Sequence, residues 1–308
     1  MHLLTLTDFN AEQIMETINL GIEIKNNPEK YSNSLKDKTL LMIFAKPSLR
    51  TRVSFEVGMT QLGGHAIYYN IQTSPMGKKE SVSDTAKTAS RFVDIVMARL
   101  FEHKQIEEFA SNASVPVINA LTNFSHPCQI LADLMTIKEK KGNLKGLKLA
   151  YLGDSNNNVT HSLLYGCSML GINISIGCPD SNEFKPKPEV VEKAKEFAQT
   201  NNSIVEIIHD AKKAAKNADI IYTDSWMSYH IKEEEKEKRM QQLMPFQVNQ
   251  ELMQHAKPDA VFMNCLPAMR GMEQTSEVID GPQSIVFDEA ENRLHVQKAL
   301  MLKLLKKA

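Results

Sequence analysis

The fold is decided by the stretch Lys46-Pro47-Ser48-Leu49-Arg50-Thr51-Arg52-Val53-Ser54-Phe55-Glu56, which follows the apolar run of residues 40–45. The run is short and is bounded by charged residues and a proline, so it predicts a buried strand. Apolar residues at helical spacing then continue as far as the pair Gly63-Gly64, which predicts a helix that stops there. The stretch is therefore interpreted as a turn from a strand into a helix.

Two hydroxyl groups and two guanidinium groups lie in this turn. The start of a helix presents unpaired backbone N–H groups and the positive end of the helix dipole. Ser48 and Thr51 can add hydrogen-bond donors, and Arg50 and Arg52 suit the oxygens of a phosphate. The turn therefore predicts a phosphate site. The alternative is an ordinary helix cap followed by two solvent-exposed arginines.

The chain as a whole has the composition of a globular protein. Its 308 residues predict two domains. The formal net charge of −1 argues against nucleic acid or an anionic membrane as the main partner. Four scattered cysteines without CxxC spacing suggest neither a zinc site nor a disulfide framework. We see no signal peptide and no apolar run near about 18 residues, so we expect a cytoplasmic protein.

Strand and helix patterns alternate along the whole chain. This alternation predicts an α/β fold with two doubly wound parallel sheets, because the pattern restarts after the polar run Glu139–Asn143. Ligands of such sheets gather at the carboxyl ends of the strands. Ser48, Arg99 and the segment His126-Pro127-Cys128-Gln129 all follow predicted strands, so we expect them to lie close together.

Three segments of the second half have plainer interpretations. The turn that begins at Gly153 is not GxGxxG, so the sequence lacks a dinucleotide fingerprint. The charged run Glu233–Arg239 is interpreted as a solvated helical face. Residues 288–307 predict a long amphipathic helix. We find no metal-ligand spacing and no cofactor loop, and therefore expect neither a metal nor a cofactor.

Four short motifs, taken in order, resemble the aspartate/ornithine carbamoyltransferase family. Ser48-Leu49-Arg50-Thr51-Arg52 resembles its Ser-x-Arg-Thr-Arg motif, and His126–Gln129 resembles its His-Pro-x-Gln motif. Cys265-Leu266-Pro267 matches the Cys-Leu-Pro of the ornithine branch, and Glu291-Asn292-Arg293 matches that branch near the end of the chain. The resemblance covers essentially the whole chain.

The resemblance implies carbamoyl transfer from carbamoyl phosphate to the side-chain amine of L-ornithine. It implies catalytic roles for Arg99, His126 and Cys265. The residues implied to bind carbamoyl phosphate are Ser48, Leu49, Arg50, Thr51, Arg52, Arg99, His126, Gln129, Cys265, Leu266 and Arg293. Those implied to bind ornithine are Asn158, Asp224, Ser228 and Tyr229. For three of them other roles stay open: a helix cap for Asn158, an inert core thiol for Cys265 and a structural ion pair for Arg52.

The resemblance also implies the domain organisation and the assembly. Residues 1–142, completed by the C-terminal helix 289–308, would bind carbamoyl phosphate, and residues 143–288 would bind the amino acid. Two interdomain helices would join these domains. A homotrimer, or a multiple of trimers, is implied as well, with each active site at a subunit interface.

Three departures from the family pattern concern the amine. The ornithine-branch loop Asp-x-Trp-x-Ser-Met-Gly becomes Asp224-Ser225-Trp226-Met227-Ser228-Tyr229-His230, and the usual histidine before Cys-Leu-Pro is Asn264. The loop that normally serves a neighbouring subunit contains Pro75-Met76-Gly77-Lys78-Lys79. Transfer to another amine such as putrescine therefore stays open. A non-catalytic two-domain anion-binding protein and a nucleotide-dependent dehydrogenase are more distant alternatives.

Overall fold

A computed structural model describes residues 1–73, 76–77, 79–227, 231 and 233–307, and of residue 233 it describes the backbone alone. The chain divides into two compact units. Unit 1 contains Met1–Thr136 and Glu291–Ala308, and unit 2 contains Ile137–Ala290. The chain passes between the units inside two helices, Pro127–Lys141 and Val286–Leu304. Two α/β units with such connecting helices confirm the predicted fold class.

Unit 1 contains a four-stranded parallel sheet. Its strands, in chain order β1 to β4, are Thr39–Phe44, His65–Asn70, Ile95–Arg99 and Val117–Leu121. The strand order is β2-β1-β3-β4, so β2 lies on one side of β1, and β3 and β4 lie on the other. The carboxyl ends of β1 and β3 are therefore the topological switch point, where open α/β sheets bind ligands.

The helices of unit 1 alternate with these strands. They are α1 Ala11–Asn26, α2 Pro28–Tyr31, α3 Leu49–Gln61, α4 Val82–Ala89, α5 His103–Asn112 and the first part of α6, Pro127–Lys141. The apolar side of β3 packs with α4 and α5 in one buried cluster that includes Val96, Ala86 and Phe109. Such burial supplies most of the stability of the unit and fixes the strand ends that carry polar side chains.

Unit 2 contains a five-stranded parallel sheet. Strands β5 to β9 are Lys148–Leu152, Asn173–Gly177, Val205–Ile208, Ile220–Tyr222 and Val261–Met263. Their order is β7-β6-β5-β8-β9. The chain therefore places β6 and β7 on one side of β5, and β8 and β9 on the other. The switch point of unit 2 lies between the carboxyl ends of β5 and β8.

The helices of unit 2 again follow the strands. They are α7 Asn158–Met169, α8 Pro188–Asn201, α9 Ala211–Ala215, α10 Lys236–Leu243, α11 Gln250–Met253, α12 Ser276–Ile279 and the start of α13, Val286–Leu304. Buried apolar residues of β5, β8, α9 and α12 form one core, with Leu152, Ile221 and Ala214 among its members. Across the described part of the chain, no helix has the length and apolar character that a membrane span needs.

Helix α10 corrects one interpretation of the sequence. The charged run before position 240 does form a helix, but it is not a solvated face throughout, because only 3% of Arg239 is exposed. The arginine forms ion pairs with Asp154 and with Glu183. A guanidinium group can be buried when carboxylates and carbonyl oxygens satisfy its donors, which is the case for Arg239.

Candidate active site

The phosphate turn lies at the switch point of unit 1. Ser48 is the N-cap of α3, and its Oγ accepts a hydrogen bond from the backbone N–H of Thr51 at 3.2 Å. The same Oγ donates to Oγ1 of Thr51 at 3.1 Å. Ser48 is thus a helix cap, as the simpler interpretation held. The cap also places the hydroxyl of Thr51 at the carboxyl end of β1.

Two buried arginines from distant parts of the chain converge on Thr51. The Nη1 group of Arg99, the last residue of β3, lies 3.4 Å from Oγ1 of Thr51. The Nη2 group of Arg293, on α13, lies at the same distance from this oxygen. Only 7% of Arg99 and 2% of Arg293 is exposed. Two guanidinium groups on one hydroxyl, beside the start of a helix, form a strongly electropositive site that suits a dianion.

Arg293 is held in place by amide oxygens. Its Nη1 donates to Oε1 of Gln129 at 2.7 Å, and its Nε donates to Oε1 of Gln297 at 2.9 Å. The amide nitrogen of Gln129 in turn donates to Oδ1 of Asp133 at 2.8 Å. All four side chains are buried. Because the two amides are neutral, they orient the guanidinium group without cancelling its positive charge.

His126, which directly precedes α6, faces the same arginines. Burial, followed by the positive charges of Arg293, Arg99 and Arg50, holds the pKa of His126 well below the usual 6.5. The imidazole is therefore neutral at neutral pH. A neutral imidazole can donate one hydrogen bond to a carbonyl oxygen without adding a further charge to the site.

The remaining predicted residues of the turn differ in their exposure. Arg50 is half-buried and contributes to the electrostatic field at His126. Arg52 is exposed, its Nε lies 3.1 Å from Oε2 of Glu56, and its guanidinium group lies 4.1 Å from the centre of the Tyr68 ring. Leu49 is 75% exposed. The structure thus brings Arg50 to the arginine cluster and turns Arg52 and Leu49 toward the surface of α3.

In unit 2, the predicted residues Asn158, Asp224 and Cys265 likewise follow strands. Asn158 is the first residue of α7, which follows β5. The helix cap is its neighbour Asn157, whose side chain accepts from the N–H of Thr160 at 2.8 Å. Asp224 comes two residues after β8 and Cys265 two residues after β9. The Sγ of Cys265 donates to Oδ1 of Asp224 at 3.2 Å, so these two predicted residues are in contact.

Asn264 supports the Cys-Leu-Pro turn in place of the family histidine. Its side-chain oxygen accepts from the N–H of Leu266 at 2.8 Å, and its amide nitrogen donates to Gln274 at 3.1 Å. Its backbone N–H donates to Glu289 at 3.1 Å. Leu266 has a φ of +55°, which is unfavourable for a residue that has a Cβ atom. The hydrogen bond from Asn264 helps to hold Leu266 in that conformation.

Some predicted residues lie outside the described part of the chain. These are Ser228 and Tyr229 of the altered loop, together with Pro75 and Lys78 of the other loop.

Sequence reasoning did not single out the residues that support the site. Asp133 lies four residues after Gln129, and Gln297 lies four residues after Arg293. Polar pairs at this spacing share one face of a helix, so the spacing itself could have identified both. Glu289 gives no such local signal, because its partners Tyr222 and Asn264 lie on other elements.

Both halves of the chain match family models. Residues 1–139 match the carbamoyl-P binding domain of aspartate/ornithine carbamoyltransferase, and residues 145–304 match its Asp/Orn binding domain. A curated relative, the ornithine carbamoyltransferase of Thermococcus kodakarensis, is 51% identical over 97% of this chain and 94% of its own length.

Solved structures agree with this likeness. The ornithine carbamoyltransferase of Pyrococcus furiosus superimposes with a TM-score of 0.94 at 48% identity, over 98% of this chain and 96% of that one. The anabolic enzyme of Campylobacter jejuni superimposes with a TM-score of 0.92 at 38% identity, over 100% and 99% of the two chains. The chain therefore belongs to the aspartate/ornithine carbamoyltransferase family.

Proposed function

We propose that this protein transfers the carbamoyl group of carbamoyl phosphate to the side-chain amine of L-ornithine, giving L-citrulline and phosphate. The observation that carries the proposal is the likeness, over nearly the whole chain, to relatives that are named ornithine carbamoyltransferases. The arginine cluster of unit 1 and the contact between Cys265 and Asp224 in unit 2 are consistent with this chemistry.

Carbamoyl phosphate carries two negative charges, which the arginine cluster can neutralise. We assign its phosphate to Ser48, Arg50, Thr51 and the start of α3, and its carbonyl oxygen to Arg99 and neutral His126. Gln129 and Arg293 complete the set that the first unit supplies. Leu49 and Arg52 stay predictions, because their side chains lie on the surface of α3. We also assign Cys265 and Leu266 to carbamoyl phosphate, on the family motif alone.

The reaction is an acyl transfer. The lone pair of the neutral amine forms a C–N bond to the carbonyl carbon, and the carbonyl oxygen takes up negative charge. The C–O bond to the phosphate then breaks, the carbonyl re-forms, phosphate leaves with the bonding pair, and the nitrogen passes a proton to the leaving phosphate. Donors directed at the developing oxyanion are worth about 3–4 kcal/mol each. Holding the two reactants in place can supply a further ~7–11 kcal/mol of the barrier.

The amino acid has a matching set of polar groups in unit 2. The carboxylate of Asp224 suits an ammonium group, and the amide of Asn158 suits a carboxylate. We add Ser228 and Tyr229 to this set on the family motif. A diamine would leave the donors for the carboxylate unmatched, and buried polar groups without partners weaken binding strongly. This difference favours ornithine over putrescine.

A panel of amines tests the function. We expect kcat/KM for L-ornithine to exceed that for putrescine and L-aspartate by about a hundredfold or more, because putrescine lacks the carboxylate and aspartate lacks the side-chain amine. Phosphate release and product mass are measured together at fixed carbamoyl phosphate. A higher kcat/KM for putrescine or aspartate would contradict the proposed substrate, and no turnover of any amine would contradict the proposed activity.

The variant Arg50→Ala tests the carbamoyl phosphate site independently of the amine site. Titration calorimetry should show the loss of carbamoyl phosphate binding with an unchanged far-UV CD spectrum, because Arg50 is half-buried and does not belong to the core. Arg91→Ala is the control, since Arg91 is an exposed arginine of the same unit and lies outside the predicted set. Unchanged affinity in Arg50→Ala would remove the turn from the site.

Assignments of the two domains, of the assembly and of the cellular location accompany this function. We assign carbamoyl phosphate to the domain of residues 1–142 with helix 289–308, and the amino acid to residues 143–288. We propose a homotrimer or a multiple of trimers, and we propose that the protein works in the cytoplasm. The exposed apolar residues Leu49, Val53 and Val57 on α3 support the assembly, because contiguous apolar patches commonly bind another protein surface.

A further inference from the structure

Two hydrogen bonds to the backbone of Trp226 hold the loop that carries Asp224. The tryptophan side chain is fully buried. Its backbone N–H donates to Oε1 of Glu273 at 3.1 Å, and its carbonyl oxygen accepts from Nε of Arg239 at 3.2 Å. A carboxylate and a guanidinium group thus fix the backbone two residues beyond Asp224.

The second oxygen of Glu273 reaches another loop. The backbone N–H of Met269, which lies four residues after Cys265, donates to Oε2 of Glu273 at 3.1 Å. The side chain of Glu273 is fully buried. Burial raises the pKa of this carboxyl, hydrogen bonds from the backbone of Glu273, Trp226 and Met269 oppose the rise, and the nearby charge of Asp224 adds to it. One side chain therefore spans the two loops whose residues Asp224 and Cys265 are in contact.

Arg239 connects the same loop to the start of α7. Its Nη1 lies 2.9 Å from Oε1 of Glu183, and its Nη2 pairs with the carboxylate of Asp154. The carbonyl oxygen of Asp154 accepts from the side chain of Asn157 at 2.7 Å, and Asn157 caps the helix that begins with Asn158. A continuous series of hydrogen bonds thus runs from Trp226 to the first turn of α7.

Resting on the function proposed above, we propose that Glu273 is a positioning residue for the amino acid substrate: it sets the separation of Asp224 and Cys265, while Arg239 fixes the Asp224 loop against α7. Neither side chain needs to touch the substrate. Both hold the backbone of Trp226, and Glu273 also holds that of Met269. Carbamoyl phosphate keeps the arginine cluster of unit 1, so loss of either side chain should disturb the amine side much more than carbamoyl phosphate binding.

Glu273→Gln tests this role with little change in side-chain size. The substitution replaces one accepting oxygen with an NH2 group, which then meets a backbone N–H and leaves it unmatched. We expect KM for L-ornithine to rise about tenfold or more and kcat to fall, because the Asp224 loop loses one of its bonds. KM for carbamoyl phosphate should change at least about threefold less than KM for L-ornithine, because Arg50, Arg99 and Arg293 are untouched.

Asp219→Asn is the matched control in the same unit. Asp219 is also a buried carboxylate, which accepts from the N–H of Lys148 at 2.9 Å and from Nζ of Lys257 at 2.7 Å, but it precedes β8 instead of following it. This control should lose Tm without a selective change in KM for ornithine. The same selective defect in Asp219→Asn and Glu273→Gln would overturn the positioning role.

Arg239→Lys provides a second variant if Glu273→Gln does not fold. Lysine keeps the charge but cannot reach Trp226, Asp154 and Glu183 together, since it lacks the planar fork of the guanidinium group. The same increase in KM for ornithine supports the proposal. Wild-type values of KM for ornithine in this variant overturn it.

The alkylation rate of Cys265 distinguishes this inference from the proposed function. A carboxylate beside a thiol disfavours the reactive thiolate, so loosening the contact with Asp224 should accelerate the reaction with iodoacetamide. Peptide mass spectrometry follows Cys265 without any substrate. Faster alkylation in Glu273→Gln supports the positioning role even if the enzyme prefers a different amine. A wild-type rate together with wild-type KM values overturns it.

Discussion

The buried residue His126 of unit 1 is affected by the charges of three arginines. Burial lowers the pKa of His126 most, and the positive charges of Arg293, Arg99 and Arg50 lower it further. A histidine that is neutral at neutral pH suits a site that already contains several guanidinium groups, because a further positive charge would be repelled. The pH dependence of this enzyme should therefore arise from the substrate and not from His126.

The rate with limiting ornithine should rise with pH between about 6 and 8.5. The side-chain amine must lose its proton before it attacks, and an alkyl amine is mostly protonated at neutrality. His126 should add no inflection near 6.5, since its pKa lies well below that value. Initial rates at saturating carbamoyl phosphate measure the profile. A flat profile, with chemistry shown to limit the rate, would contradict attack by the neutral amine.

The same histidine links stability to pH. Below about pH 6.5 the unfolded chain protonates this residue and the folded chain does not, so the unfolded state binds more protons and stability falls as the pH falls. The free energy of unfolding of the wild type should therefore drop more between about pH 7.5 and 5.5 than that of His126→Gln, by up to about 1.4 kcal/mol per pH unit. Urea unfolding at the two pH values measures both proteins. An equal drop in both would show that His126 does not contribute.

At the scale of the element, one glycine determines how closely β5 approaches the Asp224 loop. Gly153 follows β5 directly and has a φ of +120°. A Cβ at this position would lie 2.6 Å from Nε1 of Trp226, which is closer than real contacts allow. The absence of a side chain at Gly153 thus allows the buried indole to pack against the end of the strand.

Gly153→Ala should destabilise unit 2 by roughly 2–4 kcal/mol, since the positive φ and the collision with Trp226 add to each other. Gly146→Ala is the control, because its φ is +86° and nothing lies within 4 Å of the added Cβ. Urea unfolding of both variants isolates the contribution of the contact. Equal losses in the two variants would mean that Trp226 moves aside without cost.

The sequence predicted the elements well, but not which charged residues are buried. Each strand end that carries a predicted residue has a local apolar pattern, so Ser48, Arg99 and Asp224 could be located without a structure. Arg239 could not, since its neighbours are lysines and glutamates and its partners Asp154 and Glu183 lie 85 and 56 residues away in the chain. Burial of a charge depends on such distant partners, which periodicity does not reveal.

At the scale of the whole molecule, the surface of α3 is the feature that bears on assembly. Leu49, Val53 and Val57 follow one another at intervals of four residues and are 75%, 45% and 37% exposed. Residues at this spacing share one face of a helix, so they form an apolar stripe. The stripe begins at Leu49, within the phosphate turn. Assembly through this stripe would therefore bring a second chain close to the proposed carbamoyl phosphate site.

Light scattering after gel filtration should give about three times the chain mass of 34.7 kDa, or a multiple of that value, if the proposed trimer forms. The double variant Val53→Glu with Val57→Glu should lower the mass to that of one chain, because charges on the stripe oppose its burial. Ile204→Glu is the control, since Ile204 is 57% exposed but lies in unit 2. A single-chain mass for the unmodified protein would contradict the trimer.

The hydrogen bond between Arg293 and Thr51 can form only late in the synthesis of the chain. The two residues are separated by 242 positions in the chain. At a translation rate of about 5–20 residues per second, Arg293 is added some 10–50 s after Thr51. Once Arg99 has been added, the nascent first unit has its turn and two arginines of the cluster, Arg50 and Arg99, but still lacks Arg293. The contact that joins the two ends of unit 1 can therefore form only when the chain is nearly complete.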